Sequence, residues 1–416
     1  MRILVKAAKI IDNESPYNNK IMDIFLEDGV IKEISPDIKK KADQVINYTN
    51  LHVSQGWFDS SVSFGEPGYE ERETIDNGLL TAAKSGFTAI ALNSGNDPVT
   101  DNKGSVSFLR SKAEGNPVKL YPIGALTKGS KGENLAELYD MQDAGAVAFG
   151  DHKKSVSNPN LLKIALQYAQ NFEGLVQSFP QENKIAGNGL VNENENSTSL
   201  GLKGIPPLAE ELQITRDIYI LEYTGGKLHI PTISTAKSVE IIRDAKERGL
   251  DISCSVAIHN LVFTDEMLRE FNTNAKVLPP LRNKSDVKAL IAGLRDGTID
   301  MVTSDHNPVD PENKKVEFDN ALFGTTGLES AFGALLKIFS LRTTVMLLLS
   351  GKARFGLPEE LIEVGNNVSL TFFDPETVYQ FRPEHIHSSS QNSLFLGQEL
   401  KGRVYGIYSN NRLVLA

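Results

Sequence analysis

Two aspartate–histidine pairs in this chain could take part in metal binding or in proton transfer. Asp151-His152 and Asp305-His306 each end a short apolar run, and His259 ends another run of the same kind. Carboxylates and imidazoles are common zinc ligands, and both groups can carry protons during a reaction. These five residues could build a metal site if the runs lie side by side. We favour the alternative, in which His259 and His306 are hydrogen-bonded parts of the scaffold.

The remaining reactive side chains are weaker candidates. The spacing of His385 and His387 is typical of metal ligands, but three serines follow them, which indicates an exposed loop. Cys254 is the only cysteine, so the chain has no intrachain disulfide. Because Cys254 lies within an apolar run, we expect it to pack in a core rather than to act as a nucleophile.

The elements that would position these residues alternate along the chain. Eight short apolar runs cover residues 57–64, 88–92, 118–126, 146–149, 174–179, 228–233, 252–258 and 299–304. Helical patterns lie between them, at 73–85, 134–143, 159–169, 207–223, 236–248 and 285–296. This alternation predicts an α/β fold, a (β/α)8 TIM-like barrel. A doubly wound open sheet is the competing architecture, and the chain lacks the glycine-rich phosphate loop that would support it.

Strand patterns at both ends of the chain predict a second, smaller unit. Residues 1–54 and 355–416 together are expected to form a composite β-sandwich domain, and residues 55–354 the barrel. A hairpin is predicted over residues 21–34, with Asp28-Gly29 in its turn. The polar segment 180–206 follows the fifth barrel strand. It is either a mobile surface loop or a lid or partner-binding element on the catalytic face.

The charge balance limits the partners that this chain could bind. It has 43 basic and 53 acidic residues, a formal net charge of -10, and no basic cluster. Binding to nucleic acid or to an anionic membrane is therefore not expected. No apolar stretch has the length of a signal-peptide core or a membrane span, so we expect a cytoplasmic protein.

Short motifs fall in order at the ends of the predicted barrel strands. They are Asp59 with Glu66-Pro67-Gly68, Phe149-Gly150-Asp151, His229 with Ser234-Thr235, Pro279-Pro280-Leu281-Arg282, and Asp305-His306-Asn307-Pro308. This series resembles that of dihydroorotases and related cyclic amide hydrolases of the amidohydrolase superfamily, over essentially the whole chain. The resemblance implies the barrel fold and places a catalytic aspartate at Asp305.

The same resemblance identifies what the chain lacks. The four positions of the family's zinc-binding histidines are Ser61, Ser63, Gln177 and Thr232, and only Asp151 and Asp305 remain as candidate metal ligands. The family's substrate-binding arginine is replaced by Gly65, and its asparagine falls near Gly95. No substrate-binding residue is therefore assigned.

This loss matters because bound zinc lowers the pKa of water from 15.7 to about 7, a change equivalent to about 12 kcal/mol. General-base catalysis alone typically supplies a factor of about 10²–10⁴. The pattern is similar to that of inactive dihydroorotase-like chains that assemble with aspartate carbamoyltransferase. It favours a catalytically impaired protein of pyrimidine biosynthesis that acts as a structural or regulatory partner of aspartate carbamoyltransferase. Such a protein is expected to form a homo-oligomer and to need no cofactor.

Two alternatives remain open. The first is an active dihydroorotase, or another cyclic amide hydrolase, that uses zinc in an altered metal site. The second is a small-molecule sensor that uses the old pocket, for which loss of the arginine argues against dihydroorotate as the ligand.

Overall fold

The computed structural model describes residues 1–416, the whole sequence. Five strands open the chain: β1 (Arg2–Ile10), β2 (Ile21–Glu27), β3 (Val30–Ser35), β4 (Gln44–Ile46) and β5 (His52–Gln55). The hairpin of β2 and β3 is the predicted one, and its turn residues Asp28 and Gly29 have φ angles of 50° and 88°. Positive φ at both turn positions is typical of a type I′ turn, which explains why Asp-Gly stands there.

The barrel is built from the middle of the chain. The next ten strands are β6 (Trp57–Val62), β7 (Phe87–Leu92), β8 (Lys119–Gly124), β9 (Ala148–Phe149), β10 (Leu175–Gln177), β11 (Val191–Asn192), β12 (Gly204–Ile205), β13 (Lys227–Ile230), β14 (Ile252–Ala257) and β15 (Met301–Thr303). All of these except β11 and β12 form one parallel sheet in chain order. It closes where Val62 pairs with His306, and Ser63 N donates to His306 O at 2.7 Å. The predicted (β/α)8 barrel is confirmed, and the doubly wound open sheet is excluded.

Helices connect the barrel strands and cover their outer side. They are α1 (Ile75–Lys84), α2 (Lys103–Lys112), α3 (Leu138–Asp143), α4 (Pro159–Ala169), α5 (Asn183–Ala186), α6 (Glu195–Leu200), α7 (Pro207–Thr224), α8 (Ala236–Glu247), α9 (Ile258–Val262), α10 (Lys284–Asp296), α11 (Pro311–Lys314), α12 (Leu328–Leu336), α13 (Leu341–Leu349) and α14 (Gly351–Arg354). Thr74, Thr235 and Asn283 cap α1, α8 and α10 by accepting backbone N–H groups that would otherwise lack partners. No helix combines the length and the apolar character needed to span a membrane.

The strands at the two ends of the chain share one sheet. The last three are β16 (Leu370–Gln380), β17 (Glu399–Ser409) and β18 (Arg412–Leu415). The sheet order is β18-β17-β16-β5-β1-β2-β3, and β4 pairs with β1. The sheet curls until Val30 of β3 forms a bridge with Asn367, just before β16. A core of 16 buried residues belongs to this sheet. The predicted second unit, built from both ends of the chain, is thus present as a sheet curled around its own core.

An aromatic cluster joins this sheet to the barrel. The Trp57 ring lies 4.8 Å from that of Phe332, 5.6 Å from Phe373 and 6.0 Å from Phe87, measured between centroids. Gly86 has a φ of 94°, and a Cβ there would come within 2.5 Å of the Trp57 ring. Glycine at this turn thus lets the backbone approach the tryptophan that connects the two parts of the molecule.

Candidate functional site

An ion pair occupies the centre of the barrel mouth. Asp305 follows β15 and is buried, and Nζ of Lys153, which follows β9, lies 2.7 Å from its Oδ2. Burial raises the pKa of Asp305, and the Lys153 ammonium opposes that rise. The other carboxylate oxygen accepts a long hydrogen bond of 3.5 Å from Ser61 Oγ. A lysine of this chain therefore supplies the positive charge beside the aspartate.

Asp59 connects the first barrel strand to the last. Its Oδ1 accepts hydrogen bonds from Thr303 Oγ1 at 2.5 Å and from Ser61 N at 3.1 Å, and its Oδ2 accepts from Ser304 N at 2.9 Å. Burial raises the pKa of Asp59, and these hydrogen bonds oppose the rise. Thr303 and Ser304 lie at the end of the last barrel strand, and Asp59 lies in the first. Asp59 therefore links the two strands at which the barrel closes, the seam of the barrel.

The two serines at the end of β6 belong to a neutral hydrogen-bond network. Asn93 Nδ2 donates to Ser61 Oγ and to Ser63 Oγ, at 3.1 Å in each case. Ser63 Oγ also lies 3.4 Å from His152 Nε2. Burial lowers the pKa of His152 to about 3, so its imidazole is neutral at pH 7. The positions that the resemblance relates to two zinc ligands are thus linked to each other by neutral groups.

Asp151 is oriented toward the end of β8. Its Oδ1 accepts from Thr127 N at 2.9 Å, and its Oδ2 accepts from Thr127 Oγ1 at 2.5 Å. Burial raises the pKa of Asp151, and the bonds from Thr127 oppose the rise. The two retained carboxylates, Asp151 and Asp305, therefore have different hydrogen-bond partners.

Gln177 and Thr232 line a small polar cavity next to Asp305. Its volume is about 10 Å³, which is room for roughly one water molecule. His229 also faces it, and its Nδ1 lies 2.8 Å from Ser253 Oγ. Burial lowers the pKa of His229 to about 3. The hydrogen bond to a neighbouring strand makes His229 part of the barrel scaffold.

The other two histidines of the mouth differ in their surroundings. His306 Nδ1 accepts from Gly327 N at 3.2 Å, and its Nε2 lies 3.4 Å from Ser388 Oγ, so the scaffold role is confirmed. The same expectation is wrong for His259, which is buried with no hydrogen-bond partner on either ring nitrogen. Burial lowers the pKa of His259 to about 3 and that of His306 to about 4. Both rings are neutral at pH 7.

The two weaker candidates are also structural. Cys254 is fully buried, its Sγ lies 3.5 Å from Thr298 O, and burial raises the pKa of its thiol. His385 Nδ1 accepts from Arg382 N at 3.0 Å. The segment around His387 is held to the barrel, because the His387 backbone N donates to Glu329 at 3.2 Å. The predicted loop is therefore half-buried rather than freely exposed.

Three residues at the barrel mouth have a backbone conformation that residues other than glycine rarely adopt. The φ angles of His152, Thr232 and Asp305 are 51°, 52° and 49°. Such a conformation costs on the order of 1–3 kcal/mol, and it is most unusual for a β-branched residue such as threonine. All three lie at or beside positions that the resemblance relates to the metal site. The backbone at these three positions thus has a strained geometry of the kind that is common at functional sites.

The two positions that the resemblance relates to substrate binding differ in the room that they leave for a side chain: Gly65 leaves none, and Gly95 leaves only a tight space. A Cβ at Gly65 would lie 1.7 Å from Tyr69 O, and a Cβ at Gly95 would lie 3.0 Å from His152 Nδ1. The contact at Gly65 belongs to a tight turn in which Tyr69 N donates to Gly65 O at 2.9 Å. An arginine at position 65 would require the backbone at Tyr69 to move. The turn at Gly65 therefore requires a residue without a side chain.

A larger cavity opens on the solvent side of the ion pair. Its volume is about 550 Å³, which suits a small organic molecule. Its lining includes the cations Arg72, Lys153 and Lys154 and the aromatic rings of Phe64 and Phe323. Space for a ligand thus remains at the mouth, under a different arrangement of charge.

The side chains of the mouth do not fit the binuclear zinc centre that the fold family implies. Nowhere in the chain do three or more histidine, cysteine, aspartate or glutamate side chains converge on one point suitable for a metal ion. The serine, threonine and glutamine at the four former ligand positions are neutral, and zinc prefers imidazole, thiolate and carboxylate. The Lys153 ammonium also takes one of the oxygens that Asp305 would offer. The rearranged site of Asp151, Asp305 and the three histidines is not assembled either.

Residues 180–206 form an anchored segment beside the mouth, and this argues against a mobile loop. They contain α5, β11, α6 and β12. Asp265 accepts from Asn192 at 2.8 Å and from Asn196 at 3.1 Å. Arg282, which is fully buried, donates from Nη1 to Asn192 Oδ1 at 2.8 Å and to Ile205 O at 2.9 Å. These bonds connect the segment to the loops after β14.

Lys153 is the residue of the mouth that the motifs did not identify. The signal for it was present, because a lysine stands where the resembling motif Phe-Ser-Asp-Asp-Gly ends in glycine. What the sequence does not contain is the distance from that lysine to Asp305, which only the closed barrel sets.

Solved structures with the same architecture define the class of fold. L-hydantoinase (dihydropyrimidinase) from Arthrobacter aurescens superposes with a TM-score of 0.86 at 20% identity, over 99% of this chain and 96% of that protein. Dihydropyrimidinase from Brevibacillus agri superposes with a TM-score of 0.83 at 19% identity, over 100% and 95%. The fold is thus that of the hydantoinase barrels, with a terminal sheet beside the barrel.

Sequence comparison identifies the family within that class. The family model described as dihydro-orotase-like matches residues 52–238. A dihydroorotase from Pelotomaculum thermopropionicum is 39% identical over 100% of this chain and 99% of that protein. A dihydroorotase from Acetivibrio thermocellus is 39% identical over 99% of each. The chain belongs to the dihydroorotase family.

Proposed function

We propose that this chain is a dihydroorotase-family protein that does not hydrolyse dihydroorotate. In this proposal it serves pyrimidine biosynthesis as a structural or regulatory partner of aspartate carbamoyltransferase. The observation that carries the loss of hydrolysis is the ion pair of Lys153 and Asp305, at 2.7 Å. A divalent cation about 4 Å from that ammonium would be repelled by several kcal/mol. The neutral side chains at the four ligand positions would contribute little binding energy to offset this repulsion.

The choice of partner rests on the resemblance to inactive family members. A chain that keeps the barrel and the terminal sheet keeps the surface on which a partner enzyme could assemble, whatever happens at its mouth. The carbamoyltransferase association is tested by a measurement of its own, described below.

A second candidate function is hydrolysis of a cyclic amide in an altered site. The names of the relatives favour it over the first, because proteins 39% identical along their whole length are called dihydroorotases. The cavity of about 550 Å³ would also admit a small cyclic substrate. In this candidate Asp305 would have to release Lys153 before it could bind a metal or accept a proton.

One set of measurements separates the two candidates. The chain is purified after growth with added zinc, and its zinc content and its turnover of dihydroorotate are measured beside a dihydroorotase that has the four histidines. The first proposal expects far less than one zinc per chain and no turnover. One or more zinc ions per chain, with turnover that Asp305→Asn abolishes, would establish the second candidate instead.

Association is tested separately, by sizing the chain with the carbamoyltransferase of the same organism. Co-elution, or a change in carbamoyltransferase activity on mixing, supports the partnership. If neither occurs, the partnership is wrong even when the chain is inactive.

A further inference from the structure

A second cavity lies at the opposite end of the barrel from the mouth. Its volume is about 300 Å³, within the range of small-molecule sites, and α14 borders it through Lys352 and Ala353. Helix α14 packs on the starts of β6 and β15, because a Cβ at Gly351 would lie 3.0 Å from the Phe58 ring and 3.1 Å from the Met301 sulfur. This cavity is called the floor cavity below.

The lining of the floor cavity has an apolar side and a polar side. The apolar side comes from one face of α13 and from the residue after β1, through Val345, Met346, Leu349 and Ile11. The polar groups belong to Gln55, at the end of β5, and to Ser350, after α13. A lining of this kind suits a small molecule with an apolar body and one polar or charged group.

The ammonium of Lys352 is the buried charge of the floor cavity. Lys352 is only 5% exposed, and no hydrogen bond or ion pair within the chain involves its Nζ. Burial lowers the pKa of Lys352 to about 8, so the side chain still carries its proton at pH 7. Buried charges are normally paired, because an unpaired charge loses hydration energy without compensation. An anion in the cavity would supply the missing partner.

The carboxylates around Lys352 already have other partners. Glu360 Oε1 accepts from Lys119 Nζ at 2.6 Å, and Asp12 Oδ2 accepts from the Ile362 backbone N at 2.9 Å. Both carboxylates attract the Lys352 ammonium from a distance, and Lys119 repels it. Neither carboxylate forms an ion pair with it, so the chain itself leaves the position beside the ammonium open.

Three exposed charged residues also line the floor cavity. They are Glu14, Glu359 and Arg342. The two glutamates disfavour a ligand with several negative charges, such as a phosphate ester, whereas Arg342 favours a single negative charge. A neutral ligand would leave the Lys352 ammonium unpaired. The charge pattern thus selects a ligand with one negative charge.

We propose that the floor cavity is a binding site for a small organic monocarboxylate, whose carboxylate pairs with Lys352 and whose apolar body packs on α13. The site shares no residue with the ion pair at the mouth and lies at the other end of the barrel strands. It is therefore independent of the proposed function, and the two can fail separately.

The first test is a ligand-observed NMR titration of the full chain at pH 7 with acetate, butyrate, hexanoate and benzoate. At least one of the four is expected to bind with a dissociation constant of about 1 mM or tighter. Lys352→Met should weaken that binding by at least ~10-fold, because it removes a charge-assisted hydrogen bond. Ala353→Phe keeps the charge and should weaken binding by filling the space. Lys314→Met is the matched control, since Lys314 is also buried but does not line the floor cavity, and it should bind as the wild type does.

The second test separates a ligand site from a lysine that is merely packed. Without ligand, Lys352→Met should unfold at a higher urea concentration than the wild type, because it removes an unpaired buried charge. Adding the best-binding carboxylate at about 10 times its dissociation constant should stabilise the wild type and leave Lys352→Met unchanged. Raising the pH from 7 to 10 should weaken binding to the wild type by at least ~10-fold, since the free ammonium loses its proton above about pH 8.

Four outcomes would overturn the proposal. The first is that none of the four carboxylates binds the wild type at about 1 mM or tighter. The second is equal binding to the wild type and to Lys352→Met, or binding that Lys153→Met abolishes, which would place the ligand at the mouth. The third is that benzyl alcohol binds as tightly as benzoate, or inorganic phosphate more tightly than any of the carboxylates. The fourth is a ligand-free Lys352→Met that is less stable than the wild type.

Discussion

Thr303 Oγ1 donates a hydrogen bond of 2.5 Å to Asp59 Oδ1, and this bond joins the last barrel strand to the first. Thr303→Val removes the donor with little change in shape and leaves a buried carboxylate short of one partner. We expect the free energy of unfolding to fall by about 1–3 kcal/mol. Urea denaturation at pH 7 measures it. Thr344→Val is the matched control, because the Thr344 hydroxyl is buried without a partner and its loss should be neutral or stabilising. Equal effects of the two substitutions would show that the seam bond contributes nothing.

The ion pair at the mouth is expected to be strongly coupled. Lys153→Met leaves Asp305 buried without its cation, and breaking a buried pair in this way typically costs about 3–5 kcal/mol. The double variant Lys153→Met with Asp305→Asn removes both charges and should recover most of that loss. A double-mutant cycle by urea denaturation gives the coupling free energy. A loss in Lys153→Met of less than about 0.5 kcal/mol would mean that the pair is not formed in solution.

The histidine at position 259 is expected to make the folded protein less stable than an apolar side chain of similar size would. Because neither ring nitrogen has a partner, His259→Phe should raise the free energy of unfolding by about 1 kcal/mol. His229→Phe is the control, since it removes a hydrogen bond to Ser253 and should lower that free energy by about 1–3 kcal/mol. A loss of stability in His259→Phe would reveal a bound partner for that ring.

The variants His259→Phe and His229→Phe are both expected to lose less stability in acid than the wild type. The folded pKa of each histidine is lowered to about 3, from a usual value of 6.5. Between these values the unfolded chain binds the proton and the folded chain does not, so stability falls as the pH falls from 6.5 toward 3. Each phenylalanine variant should lose less stability over this range, by up to about 1.4 kcal/mol per pH unit. Thermal unfolding at several pH values provides the comparison.

Lys314 should make stability depend on pH on the alkaline side. It is buried, its Nζ donates to Leu322 O at 2.9 Å, and burial near Lys276 lowers its pKa from 10.5 to about 7. Between these pH values the unfolded chain binds the proton and the folded chain does not. The contribution of Lys314 to stability therefore rises with pH, by up to about 1.4 kcal/mol per unit.

The variant Lys314→Met lacks this titration. Its unfolding free energy, subtracted from that of the wild type, should give a difference that increases from pH 7 to pH 10. Lys39→Met is the control for loss of a lysine charge, because the Lys39 side chain is 86% exposed. A flat difference for Lys314→Met would contradict the lowered pKa.

The fold could be predicted from the sequence because its signals are local and repeated. Each barrel strand is a short apolar run, and the motifs after the strands occur in a fixed order. The contacts of Lys153, Asp265 and Arg282 could not be predicted in this way. The bonds from Lys153 to Asp305, from Asn196 to Asp265 and from Arg282 to Ile205 join residues that lie 69 or more positions apart, and the folded barrel brings them together. The asparagines of residues 180–206 make the composition of this segment typical of a mobile loop. In the folded chain they donate hydrogen bonds to Asp265, and composition does not show such a tertiary contact.

His259 shows a second limit of sequence reasoning. A histidine after a barrel strand usually has a hydrogen-bond partner, and nothing in its neighbours along the chain indicates that this one has none. The absence of a partner is a property of the packed interior. It can be recognised only when the positions of all surrounding side chains are known.

The pairing of Lys153 with Asp305 has a consequence for how the protein is made. Under the function proposed above, in which the mouth holds no metal, both partners belong to the newly synthesised chain, so the mouth would complete its folding without taking up an ion. Proteins whose sites are organised by zinc depend on the supply of that metal to reach their native state. A cell starved of zinc should therefore accumulate this chain in folded form at its usual rate, while metal-requiring enzymes of the same barrel class become scarce.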